Sequence, residues 1–89
     1  MRKGRVRELL EAMLWDPRNE PREYKILFVS RGAPNDLEEV RGDEIRVVGD
    51  RIMLSDGREI PHHRIVAIWR GREILYVRRD PRERLGGGA

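Results

Sequence analysis

The stretch "IPHHRIVAIWRGREILYVRR", residues 60 to 79, decides the fold. It contains two apolar runs built from β-branched and aromatic residues, types that suit pleated backbone. A short turn at Arg70–Gly71 separates them, so the pair predicts an antiparallel hairpin. Ile65, Ala67 and Trp69 alternate against Val66 and Ile68, and Ile74 and Tyr76 against Leu75 and Val77. Apolar residues therefore fall on both faces, and a sheet of such strands needs more cover than one layer provides. His62 and His63, the only histidines of the chain, stand just ahead of the first run.

The same pattern extends towards the N-terminus. "REYKILFVS", residues 22 to 30, puts Tyr24, Ile26 and Phe28 on one face and Leu27 and Val29 on the other, as a central strand would. "EIRVVGDRIMLSDGREIP" reads as strands over 44–48 and 51–55 joined at "GD", with "DG" turning into Glu59 and Ile60. Upstream, Val6, Leu9, Leu10, Met13 and Leu14 fall at i, i+3, i+4, i+7 and i+8. That spacing makes one apolar stripe on a helix over residues 4 to 15, with Arg7, Glu8 and Glu11 facing out. Pro17 pushes Asp16 out of helical geometry and ends the helix near Trp15. "RGAPNDLEEVRGD", residues 31 to 43, carries Gly and Pro breakers and no sustained period, which predicts a long loop. One helical turn is expected at "DLEEV", where Asp36 and Glu39 have capping-box spacing.

The expected architecture is α+β: one N-terminal helix on a bent, mainly antiparallel sheet of about five strands. Curling towards a partly closed barrel is the cheapest way to bury the second face. Residues 1–79 are expected to form one domain, and "DPRERLGGGA", residues 80–89, with Leu85 and Ala89 as its only apolar residues, is expected to be a flexible tail.

With 89 residues, 38% of them apolar and 39% charged, only one modest core is possible. It must rest on Val, Ile and Leu, because Trp15, Trp69, Tyr24, Tyr76 and Phe28 are the only aromatics. No cysteine is present, which removes disulfides and thiolate metal sites. No apolar run approaches the ~20 residues that span a bilayer, so a cytoplasmic protein is expected. Seventeen Arg against two Lys, with no Gln or Thr, fits a thermophile or a GC-rich genome. The net charge of +3 is uneven: residues 1–34 carry +3, 35–60 carry −4 and 61–89 carry +4. If the outer segments pair in space, they can build a basic face suited to a polyanion. The alternative is a solvated surface whose charges neutralise one another.

Candidate sites are few. In a regular strand, His62 and His63 would point to opposite faces and could not share a ligand. No further ligand spacing supports a metal, and no cofactor motif is present. Ser30 and Ser55 lack a nucleophile elbow. Arg31 in "RGAP" can grip a phosphate with two hydrogen bonds beside the permissive Gly32 and the rigid Pro34. In "WDPR", Trp15 either closes the core or offers a stacking face, Asp16 caps, and Arg18 is solvated or assists.

"LLEAMLWDPR", then "RGAP" with Asn35 and Asp36, then "IPHHRI" in that order resembles a small, largely archaeal family. That family is named for a predicted ability to recognise RNA ends bearing cyclic phosphates, and it occurs alone or fused to RNA-processing proteins. The resemblance covers about residues 5 to 78. Trp15, Asp16 and Arg18 match its helix-end motif, and Arg31, Gly32, Ala33, Pro34 and Asp36 match its loop. Ile60, Pro61, His63, Arg64 and Ile65 match the last motif, with His62 standing where an aromatic is common. The resemblance implies an RNA-binding module for single-stranded 3′ ends, using Arg31, His63 and Arg64 with Arg18 assisting and His62 as a platform or surface residue; Trp15, Asp16 and Trp69 are structural or stacking candidates. It also implies RNA-processing proteins as partners. Two alternatives stay open: a phosphodiesterase or nuclease with His63 as general acid or base, and a protein-interaction subunit.

Overall fold

The computed structural model describes residues 4–78; the sequence-predicted tail lies outside them. Helix α1 (Arg5–Trp15) buries Val6, Leu10 and Met13. The chain then makes a 3-10 turn at Pro21–Glu23 and enters β1 (Tyr24–Val29). β2 (Leu37–Arg41), β3 (Ile45–Val48), β4 (Arg51–Leu54), β5 (Glu59–Pro61), β6 (Ile65–Arg70) and β7 (Glu73–Val77) follow. All the pairings are antiparallel. The order is β2-β1-β6-β7 in one sheet and β3-β4-β5 in a second.

The class is α+β, as the patterning requires, but the described strands number seven and form two sheets. Among the described residues no closed barrel forms. The chain leaves the first sheet through a 3-10 turn at Gly42–Glu44 and returns through another at His62–Arg64. Each turn re-aims the backbone where a continuous strand would have kept one sheet. Gly42 is indispensable to the first crossing for steric reasons, since a Cβ there would collide with Met13 Sδ and the Pro21 carbonyl oxygen.

One core joins all the layers. Tyr24, Ile26 and Phe28 on β1 meet Ile65 and Ile68 on β6, with Phe28 opposite Ile65 and Ile26 opposite Ile68. A bulge in β6 skips Val66 and keeps those partners in register. The second sheet adds Ile45, Ile52, Leu54 and Ile60 to the same cluster. The sheets are also tied at the surface. Glu38 on β2 accepts hydrogen bonds from Arg58 Nη1 and Nη2 at 3.0 and 2.7 Å, and Arg58 Nε donates to Asp56 at 2.8 Å. The Arg58 guanidinium holds the Glu38 carboxyl below its ordinary value.

Candidate functional site

The His62–Arg64 turn sits at the corner where the chain passes from β5 in one sheet to β6 in the other. The strand expectation, with the two rings on opposite faces, is overturned here. Both histidines line one cavity of about 400 Å³, together with Arg5 and Arg7 of α1, Asp50 of the β3–β4 turn, and Tyr76 of β7. The His62 amide donates to the Asp50 carbonyl at 2.9 Å and fixes the turn against that neighbour. Burial pushes the His62 ring below its ordinary value of 6.5, against the pull of Asp50, which favours the proton. The ring is therefore neutral near pH 7. A hydrogen bond to the Arg51 backbone engages the ring, yet buried Nε2 has no partner among the described residues. An orphaned buried polar atom of this kind costs about 1–3 kcal/mol. His63 is exposed, and its carbonyl accepts from Arg78 Nη1 at 2.9 Å, which braces the turn.

At the other end of α1, Asp16 closes the turn required by Pro17. Its Oδ1 accepts from the Arg18 amide at 3.0 Å and from Arg18 Nε at 3.2 Å, and its Oδ2 accepts from Nη2 at 3.1 Å. Those bonds hold the Asp16 carboxyl below the usual carboxylate range. Arg18 thus spends Nε and Nη2 on local structure. Trp15 does not close the core: it is 81% exposed. It borders a second cavity of about 350 Å³ with Arg7, Glu11, Leu14, Val47 and Gly49. Arg7 belongs to both cavities, so the two hollows run consecutively along α1. Eight residues of helix, about 12 Å, separate the level of Arg7 from Trp15.

The Arg31–Asp36 loop is tightly determined. Asn35 and Asp36 have φ of 58° and 57°, and Gly32 has φ 92°. The Ser30 amide donates to the Asp36 carbonyl at 2.8 Å, and the Gly32 amide donates to Asp36 Oδ1 at 3.3 Å. Asp36 therefore shapes the loop, and the Gly32 amide is already engaged. Since Phe28 pairs with Ile65, the loop leaves β1 at the sheet end where Arg64 enters β6. Adjacent strands lie ~5 Å apart. Most described arginines are paired with a carboxylate, but Arg31 and Arg64 make no side-chain hydrogen bond or ion pair among the described residues.

The matched residues thus fall into groups. His62 and His63 share a cavity, Trp15 lies farther along the same helix, and Arg31 and Arg64 share a sheet end. None of Arg18, Arg31, Gly32, Pro34, Asp36 and Arg64 lines either cavity beside α1. Trp69 is apart from all of these. It pairs with exposed Lys25 and with Ile74, on the face of the first sheet away from the core. A third hollow of about 420 Å³ beside β3 and β4 includes none of the matched residues. Arg5, Arg7, Asp50 and Tyr76 were missed, since no spacing in the sequence connects them. Arg7 reads only as an outward helix position.

Comparison with known proteins agrees with the resemblance. Residues 1–78 match the MJ1316 RNA cyclic group end recognition domain. A UPF0248 protein of Methanococcus vannielii is 32% identical over 77 residues, covering 84% of this chain and 93% of its own. One from Methanopyrus kandleri is 36% identical over 66 residues, 74% of this chain and 89% of its own. One from Thermococcus onnurineus is 34% identical over 84 residues, 92% of this chain and 95% of its own. No solved structure matches. With these relatives covering most of the chain, the protein belongs to the family of the MJ1316 RNA cyclic group end recognition domain.

Proposed function

We propose that the protein binds single-stranded RNA 3′ ends carrying a cyclic phosphate, with Arg31 and Arg64 on the phosphate and His63 beside the ribose. Supporting this reading above all is the pair of unpartnered arginines at the shared end of β1 and β6. A cyclic phosphate is a monoanionic diester whose two non-bridging oxygens accept guanidinium hydrogen bonds. Such ends arise when a 2′-hydroxyl attacks the neighbouring phosphodiester, so their reader serves RNA processing or repair, alongside protein partners of that machinery.

The test uses one short RNA with three 3′ ends: cyclic phosphate, open monophosphate and hydroxyl. Each charge-assisted hydrogen bond lost costs about 1.5–3 kcal/mol, roughly ten- to a hundredfold in affinity. The hydroxyl end is expected to bind that much more weakly, and Arg31→Ala or Arg64→Ala to weaken both phosphorylated ends. The open phosphate carries more charge, so preference for the cyclic form depends on His63, and His63→Ala reduces that preference. Equal binding of all three ends would sink the proposal. Conversion of the cyclic end during incubation would favour a phosphodiesterase.

A further inference from the structure

The cavity between the N-terminal half of α1, the β3–β4 turn and the His62–Arg64 turn has walls ill-suited to a second phosphate. Arg5 and Arg7 bring two positive charges, but Asp50 lies in the cavity and Glu11 pairs with Arg7 at 3.1 Å. The charges cancel. What remains is a half-buried Tyr76 ring, two flat guanidinium groups and hydrogen-bonding atoms of both kinds. That combination suits a neutral, flat, polar-edged ligand. At about 400 Å³ the cavity lies within the range of small-ligand sites.

We infer that this cavity is a nucleobase pocket, which holds the base of the terminal nucleotide whose phosphate meets Arg31 and Arg64. His63 is the hinge between the two, since it lines the cavity and adjoins Arg64. His62 gives the pocket its polarity. Its Nε2 is buried without a partner, and in the neutral tautomer protonated at Nδ1 that atom is an acceptor. A buried unsatisfied atom in a native fold calls for a missing partner. Nε2 itself has less than 1 Å² of accessible surface, so a base N–H group would supply the partner once the ring turns towards the cavity. The Asp50 carboxylate is a second acceptor, of the kind that takes an exocyclic amino group. Two acceptors favour adenine, cytosine or guanine over uracil. Trp15 is separate, one cavity farther along the helix, where it can stack on an upstream base.

This inference rests on the end-binding reading, and the experiment keeps the two apart. Affinities are measured by fluorescence anisotropy for RNAs ending in adenosine or in an abasic nucleotide, each with a cyclic phosphate and with a hydroxyl. The unmodified protein is expected to bind the abasic ends roughly tenfold or more weakly. His62→Phe keeps the ring volume but removes the acceptor, and it should shrink the base-to-abasic ratio while leaving the phosphate preference intact. If His62→Phe does not fold, Asp50→Ala on the surface gives the same readout. Trp15→Ala should weaken both RNAs alike and spare the ratio. Equal binding of abasic and adenosine ends, with the phosphate preference kept, overturns the pocket and leaves end recognition standing. Lost phosphate preference with the base ratio kept does the reverse. A ratio that collapses in Trp15→Ala but not in His62→Phe places the base elsewhere and overturns the pocket.

Discussion

His62 and His63 show how far one residue's role depends on backbone that the sequence leaves ambiguous. Alternation in a regular strand would set them on opposite faces, whereas a 3-10 turn lets both residues border one cavity. Their place just ahead of the first apolar run was legible; their relation to each other was not, because it depends on the crossing between sheets. The same burial that leaves Nε2 unpartnered makes stability depend on pH. The folded His62 binds its proton less readily than the unfolded residue, whose ordinary value is 6.5. Its contribution is therefore complete above 6.5 and is lost as the pH falls from there through the lowered folded value. Urea unfolding at pH 7.5, 6.5 and 5.5 should show a decline that His62→Phe makes shallower. Identical slopes in both proteins would mean that burial of this ring does not control the proton.

Helix α1, β1 and the β6–β7 hairpin were legible because their apolar periods span whole elements. β2 was not. "LEEVR" has only Leu37 and Val40 as apolar residues, and Asp36 and Glu39 imitate a capping box. Tertiary pairing with β1 overrides that local preference, and an edge strand tolerates charge. Glu38 lies on the inward side opposite Phe28, a position the pattern alone would reject, and distant Arg58, with Ser30, makes it tenable. The left-handed Asn35–Asp36 pair is what stops a helix from starting there. Asn and Asp tolerate that geometry, but a β-branched residue does not. Asn35→Val should therefore cost about 1–2 kcal/mol, while Asn35→Gly stays near neutral. Chemical denaturation measures both. Equal stability of the two variants would show that the loop relaxes out of the left-handed form. The Val variant should also bind cyclic-phosphate RNA more weakly, because this element aims Arg31.

For the whole molecule, charge pairing separates structural arginines from those available to a ligand. The uneven sequence charge suggested a basic face, but it could not show which cations were already committed. Arg7, Arg18, Arg41, Arg51, Arg58 and Arg70 all face carboxylates at 3.5 Å or less. Arg31 and Arg64 do not, and neither do Arg5, Arg46, Arg72 and Arg78, among the described residues. Arg46 is a natural control, since it lies on β3 of the second sheet, beside the hollow that holds no matched residue. Each phosphate neutralised on a single strand contributes about −0.7 to the slope of log affinity against log salt. If Arg31 and Arg64 together neutralise the terminal phosphate, Arg31→Ala should make the slope shallower by up to about that amount. Arg46→Ala should leave it unchanged, although it removes the same formal charge from the protein. Titration of a cyclic-phosphate RNA between low and physiological salt separates a placed contact from diffuse attraction. Equal losses of slope in the two variants would mean that the net charge alone binds the RNA, with no defined end site at the junction of β1 and β6.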